Sequence, residues 1–88
     1  MDIDNKISNI IGIINSVADD NTLPRNIRKA LVEACDHLRS DEESIVKIGA
    51  AVYVMEGLTE DINMPPHART QIWNILSVLE TILNDLRN

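Results

Sequence analysis

Eighty-eight residues, 44% hydrophobic and 25% charged, with one Tyr, one Trp and no Phe, make one small domain whose core must be aliphatic. A net charge of −6 and a pI near 4.6 disfavour a nucleic-acid backbone or an anionic membrane as partner, because the long-range field repels phosphate. The lone Cys35 excludes an internal disulfide and fits a cytoplasmic protein, "MDIDNK" lacks the regions of a signal peptide, and no apolar run reaches the ~18 residues of a membrane span.

Helix one is expected over 3–18, where Ile3, Ile7, Ile10, Ile14 and Val17 step by 4, 3, 4 and 3. A short loop begins at Asp20, and Pro24 opens helix two over 24–39, with Ile27, Leu31, Ala34 (or Cys35) and Leu38 as its stripe. Ser40 and Glu43 form a possible capping box for helix three over 42–60, though Ser44 could equally cap a later start. Its core stripe is Ile45, Ile48, Val52 and Met55. Pro65-Pro66 open helix four over 65–87, carried by Ile72, Leu76, Leu79, Leu83 and Leu86 and widened by Ile75 and Ile82.

The chain matches itself at an offset of 41 residues: Lys6-Ile7 meets Lys47-Ile48, Asp20 meets Asp61, Pro24 meets Pro65, and Arg28 meets Arg69. A two-helix unit of this length suggests a helical repeat. Short loops make sequential helices antiparallel. The expected fold is therefore all-α, a single domain over 1–88. It is a four-helix up-and-down bundle built from tandem hairpins at about 3–39 and 42–87. The loop Asp, Pro and following Arg also resemble HEAT repeats, so the alternative is two stacked HEAT-like hairpins. Two repeats are fewer than a solenoid usually needs, which favours the closed bundle.

The repeated charges read best as structural loop-to-helix pairs, Asp20 with Arg28 and Asp61 with Arg69, since both copies need the same loop. Arg25, Arg28 and Lys29 share one face of helix two, with Arg39 further on. They offer an alternative function, weak nucleic-acid association, but no aromatic residue is interleaved for base stacking. Cys35 and His37 point some 200° apart on a helix and cannot share a metal ion, while His67 follows Pro66 at a helix start. No catalytic constellation, cofactor motif or metal site is read. The sharper feature is a second apolar stripe on helix three. Val46, Ala50, Tyr53 and Gly57, joined by Gly49, run opposite its core side, and Trp73 of helix four lies at the rim of its own core stripe. Helix one carries Ser8, Asn9, Gly12 and Ser16 at the matching positions, so the architecture does not demand an apolar back. These residues are the expected partner surface of a non-enzymatic, self-associating protein, most simply a homodimer.

The segments "DDNTLPRNIRKA" and "DINMPPHARTQIW" resemble a small archaeal family of uncharacterised proteins, the UPF group numbered one hundred and forty-seven. The resemblance runs from about residue 6 to 82. The family more often carries Thr where Ala68 stands and a Pro near Val46, and the lost Pro lets helix three begin earlier here. The resemblance implies an all-helical bundle of archaeal cytoplasmic origin and carries over no activity and no catalytic residue.

Overall fold

Residues 2–88 are described by a computed structural model, and they form four α-helices without a strand. These are α1 (Ile3–Ala18), α2 (Arg25–Arg39), α3 (Ser44–Thr59) and α4 (Pro66–Arg87). The Asp2 carboxylate caps α1 by accepting the Asn5 N–H at 3.2 Å. Pro24 and Pro65 stand one residue outside α2 and α4, in extended conformation, and their carbonyls accept the first helical bonds. Proline suits that place because its fixed φ costs nothing there and no helical N–H is lost.

The Ser40–Glu43 capping box does not form. Ser40 ends α2, and its hydroxyl accepts the Glu42 N–H at 3.4 Å instead. Glu43 becomes the N-cap of α3 with no side-chain cap bond, so this helix starts at Ser44, later than expected. Helices of 15–22 residues without strong caps are marginal alone, so tertiary burial must hold them.

That burial comes from one continuous aliphatic cluster. All four stripes enter it, together with Leu23 and Met64 from the two hairpin loops. The exception is Ile45, expected in the α3 stripe but exposed at the first turn of the helix, while Ala51 and Leu58 are buried beside Ile48, Val52 and Met55. Ile14, Ile27, Leu31, Ile48, Met55 and Leu79 are fully inaccessible, and among the described residues no polar or charged side chain is buried. Neither aromatic ring takes part. Each helix packs on its chain neighbours, and α4 returns to α1, while the diagonal pairs barely touch. Stacked HEAT-like hairpins would leave α1 and α4 apart; a closed four-helix bundle brings them together. The ring is uneven, since α2–α3 is its most extensive contact and α1–α4 its thinnest.

Leu31→Ala should cost about 2–5 kcal/mol in urea denaturation, because the cavity opens at the centre of a filled core. Ile62→Ser, in a loop where the side chain is 91% exposed, should stay within about 0.5 kcal/mol.

Candidate functional site

At the end of the bundle where both hairpin loops lie, the carboxylates do two jobs. Asp20 accepts the Thr22 N–H at 2.9 Å and the Thr22 hydroxyl at 2.6 Å, which folds its own loop. Its other oxygen meets His67 Nε2 of the second hairpin at 2.8 Å. Asp61 repeats the arrangement: it accepts the Asn63 N–H at 2.8 Å and the Asn26 side-chain amide of the first hairpin at 3.0 Å. Asn26 and His67 are also 41 residues apart, so each hairpin gives the other the same bond. Hydrogen bonds from Thr22, then from His67, pull the Asp20 carboxyl from 3.8 down to about 2.

The expected Asp–Arg pairs take a different form. Arg69 does tie its own loop, but through backbone carbonyls, donating to Thr59 O at 2.9 Å and Asp61 O at 3.1 Å rather than to the Asp61 carboxylate. Among the described residues no ion pair joins Asp20 to Arg28, and Arg28 Nε is buried with no hydrogen-bond partner. The same spacing thus yields a guanidinium bonded to two loop carbonyls in one hairpin and one whose Nε is unpaired in the other.

The basic face of α2 divides. Arg25, Arg28 and Lys29 line an open groove with Ala18 and Val32. Arg39 lies ten residues beyond Lys29, roughly 15 Å along the axis, outside that groove. Cys35 is fully buried beside α1, its thiol donating to Asn15 Oδ1 at 3.4 Å, and burial raises its pKa, so it is an unreactive core group. No cluster of three or more His, Cys, Asp or Glu able to hold a metal occurs among the described residues.

The second stripe of α3 faces outward. Val46 is 50% exposed, Tyr53 71% and Trp73 50%; Gly57 is exposed, and Gly49 and Ala50 are half-buried. Tyr53 stands between two grooves. Ala50, Gly57 and Leu58 line the one toward α2, and Gly49, Glu56 and Glu80 line the one toward α4. Trp73 lines neither groove.

A further apolar surface was missed by sequence reasoning. Along the thin α1–α4 seam, Ile10, Ile13, Val78 and Ile82 line a groove of about 370 Å³, with Ile13 50% and Val78 46% exposed. Both residues flank the core stripes, and the available signal was that each widens its stripe beyond what one neighbour covers.

The fold and these surfaces define a small four-helix bundle whose polar and aromatic features all lie outside its core. The chain belongs to the uncharacterised protein family UPF0147, whose family model matches residues 1–82. A UPF0147 protein of Desulfurococcus amylolyticus is 40% identical over 78 residues, 88% of this chain and 86% of that one. One from Methanocaldococcus jannaschii is 41% identical over 71 residues, covering 80% and 76% of the two chains. A crystal structure of a UPF0147 protein from Thermoplasma acidophilum has a TM-score of 0.83 at 25% identity, covering 93% of this chain and 99% of that one. These relatives come from archaea and carry no assigned function. No helix among the described residues is long and apolar enough to cross a membrane.

Asp20, with its lowered folded pKa, contributes stability that is present above about pH 4 and is lost as pH falls through about 2. The melting temperature of the wild type should therefore fall more steeply than that of Asp20→Asn between those limits, the two curves converging at the acid end. In the second hairpin, Arg69→Met should cost about 1–3 kcal/mol in denaturant melts, because two charge-assisted bonds to loop carbonyls are lost.

Proposed function

We propose that this is a non-enzymatic interaction protein that self-associates as a symmetric homodimer through the outer face of α3. The carrying observation is Tyr53, 71% exposed among Val46, Ala50 and Gly57, in a chain that leaves both of its aromatic rings outside the core. A monomer short of large side chains gains by burying such rings, and interfaces are enriched in them.

Self-association is favoured over an unrelated partner because the face carries both a projection and a hollow. Tyr53 stands beside a groove of about 500 Å³ lined by Ala50 and Gly57. An isologous contact needs complementary features on one patch, so each ring can enter the other copy's hollow. A Cβ added at Gly49 or Gly57 would meet nothing within 4 Å, so the chain's own packing does not call for glycine there. Each costs up to about 1 kcal/mol against Ala in a helix. Gly12 on α1 is equally open, so the apolar neighbours of Gly57 carry the distinction rather than the glycine itself. A standard interface of about 800 Å² per partner would take roughly 15% of the 5320 Å² surface.

The non-enzymatic reading goes with an interior in which, among the described residues, every buried side chain is hydrophobic. The reciprocal Asn26–Asp61 and His67–Asp20 bonds support reading the hairpins as repeats. A single buried thiol suits a reducing cytoplasm.

Light scattering at micromolar concentration tests the dimer. The wild type and Val78→Glu should have twice the chain mass and Tyr53→Glu the mass of one chain, with circular dichroism confirming that each variant folds. A monomeric wild type would sink the proposal. Dissociation by Val78→Glu alone would move the interface to the α1–α4 seam.

A further inference from the structure

The outer stripe of α3 alternates in size along its length. Val46, Ala50, Tyr53 and Gly57 step by 4, 3 and 4 and read large, small, large, small. That is the spacing of a coiled-coil seam, whose knobs enter holes between residues of the facing helix. Turned end for end about a point midway between Ala51 and Val52, the stripe sets each large residue against a small one: Val46 against Gly57, and Tyr53 against Ala50. A parallel copy in register sets Tyr53 against Tyr53 and Gly57 against Gly57, so the rings crowd and the glycines face a void. On α1 the equivalent stripe is Asn5, Asn9, Gly12 and Ser16, without a large apolar member, so the alternation is not inherited from the repeat.

The same turning point is the midpoint of the helix, Ser44–Thr59. Two copies of α3 in this register overlap over all 16 residues, about 24 Å. Gly49 and Ala50 lie side by side, half-buried, so the place that receives the ring carries at most a methyl group. The stripe is uncharged, which lets a chain of net charge −6 meet its own copy there. Lys47 and Glu56, the charged residues of α3, lie on opposite flanks of it. In the antiparallel register each stands nine residues from its own counterpart, about 13 Å along the axis. That exceeds the roughly 8 Å over which surface charges act at physiological salt.

Resting on the dimer reading above, we propose that two copies pack their α3 helices antiparallel, centred between Ala51 and Val52. Each Tyr53 ring lies over Gly49 and Ala50 of the second copy, and each Val46 against its Gly57.

Sedimentation equilibrium over a dilution series, giving the dimer Kd, tests the register. Gly57→Val overfills the place opposite Val46 and should raise Kd about tenfold or more. A Cβ at this position meets nothing within 4 Å in its own chain, so the variant should fold. Adding Val46→Ala to the same chain should bring Kd back to within a few-fold of the wild type, because symmetry relieves both contacts at once. Gly12→Val, equally open but on α1, should leave Kd unchanged. If Gly57→Val does not fold, an equimolar mixture of Val46→Cys and Gly57→Cys decides. Oxidation with diamide should join the two variants, while Val46→Cys alone should stay unlinked, its thiols roughly 16 Å apart along the axis. Cys35 is buried and takes no part. Weakening that Val46→Ala does not rescue, no weakening at all, or a self-linked Val46→Cys dimer would overturn the register and leave the dimer standing. A monomeric wild type would overturn both.

Discussion

An aliphatic core with no polar side chain inside it holds only while all four helices cover it. None of the helices is stabilised by strong capping, and only α1 has a side-chain cap bond at its start. Their order depends on Ile, Leu, Val and Met side chains meeting at the centre, which is why Leu23 and Met64 are drawn in from the loops. Burying an unpaired charge in such an interior would cost several kcal/mol, more than a small domain can lose. Among the described residues the ionisable side chains other than the inert Cys35 therefore lie at the surface or only partly covered, as Arg28 and Arg69 are.

The unevenness of the bundle has a cause in residue size. The 41-residue offset relates the α2–α3 contact to the α1–α4 contact, so identical hairpins would pack both alike. The α2–α3 groove is lined by Ala30 and Ala50, small residues that let two helices approach. Their counterparts are Gln71 and Asn9, longer and polar, which prefer solvent to a helix face. The α1–α4 seam is accordingly thin, and Ile13 and Val78 are left half-exposed on it. The bonds of Asp20 to His67 and Asp61 to Asn26 pin the hairpins at the loop end in spite of this asymmetry.

Features set by one helix were legible in the sequence. The four stripes step at helical spacing, and the prolines mark two starts to within a residue, since φ is fixed by the ring itself. The outward direction of Val46 and Tyr53 followed from 100° per residue and needed no knowledge of neighbours. Features set between elements were not legible. The capping box failed because Ser40 was already closing α2. The Asp–Arg expectation held only in part. Arg69 ties its loop through the Thr59 and Asp61 carbonyls rather than the Asp61 carboxylate, a choice between oxygens that spacing does not contain. No ion pair joins Arg28 to Asp20 among the described residues. The exposure of Ile13 depends on how near α4 approaches, a distance that periodicity does not contain.

Where the two hairpins differ is more telling than where they agree. The core positions match in chemistry, because both halves fill one interior. The aromatic residues do not match: Tyr53 stands where α1 has the exposed Gly12, and Trp73 where α2 has the half-exposed Val32. The fold tolerates a small or aliphatic residue at both places, so neither ring is needed to build it. The basic residues diverge in the other direction, with Arg25 and Lys29 opposite Pro66 and Thr70. Hairpin two thus carries the aromatic surface and hairpin one the cationic surface, on a scaffold indifferent to both. Side chains that a scaffold does not require, placed on one copy and absent from the other, are what recognition would select, and here they fall on two separate faces.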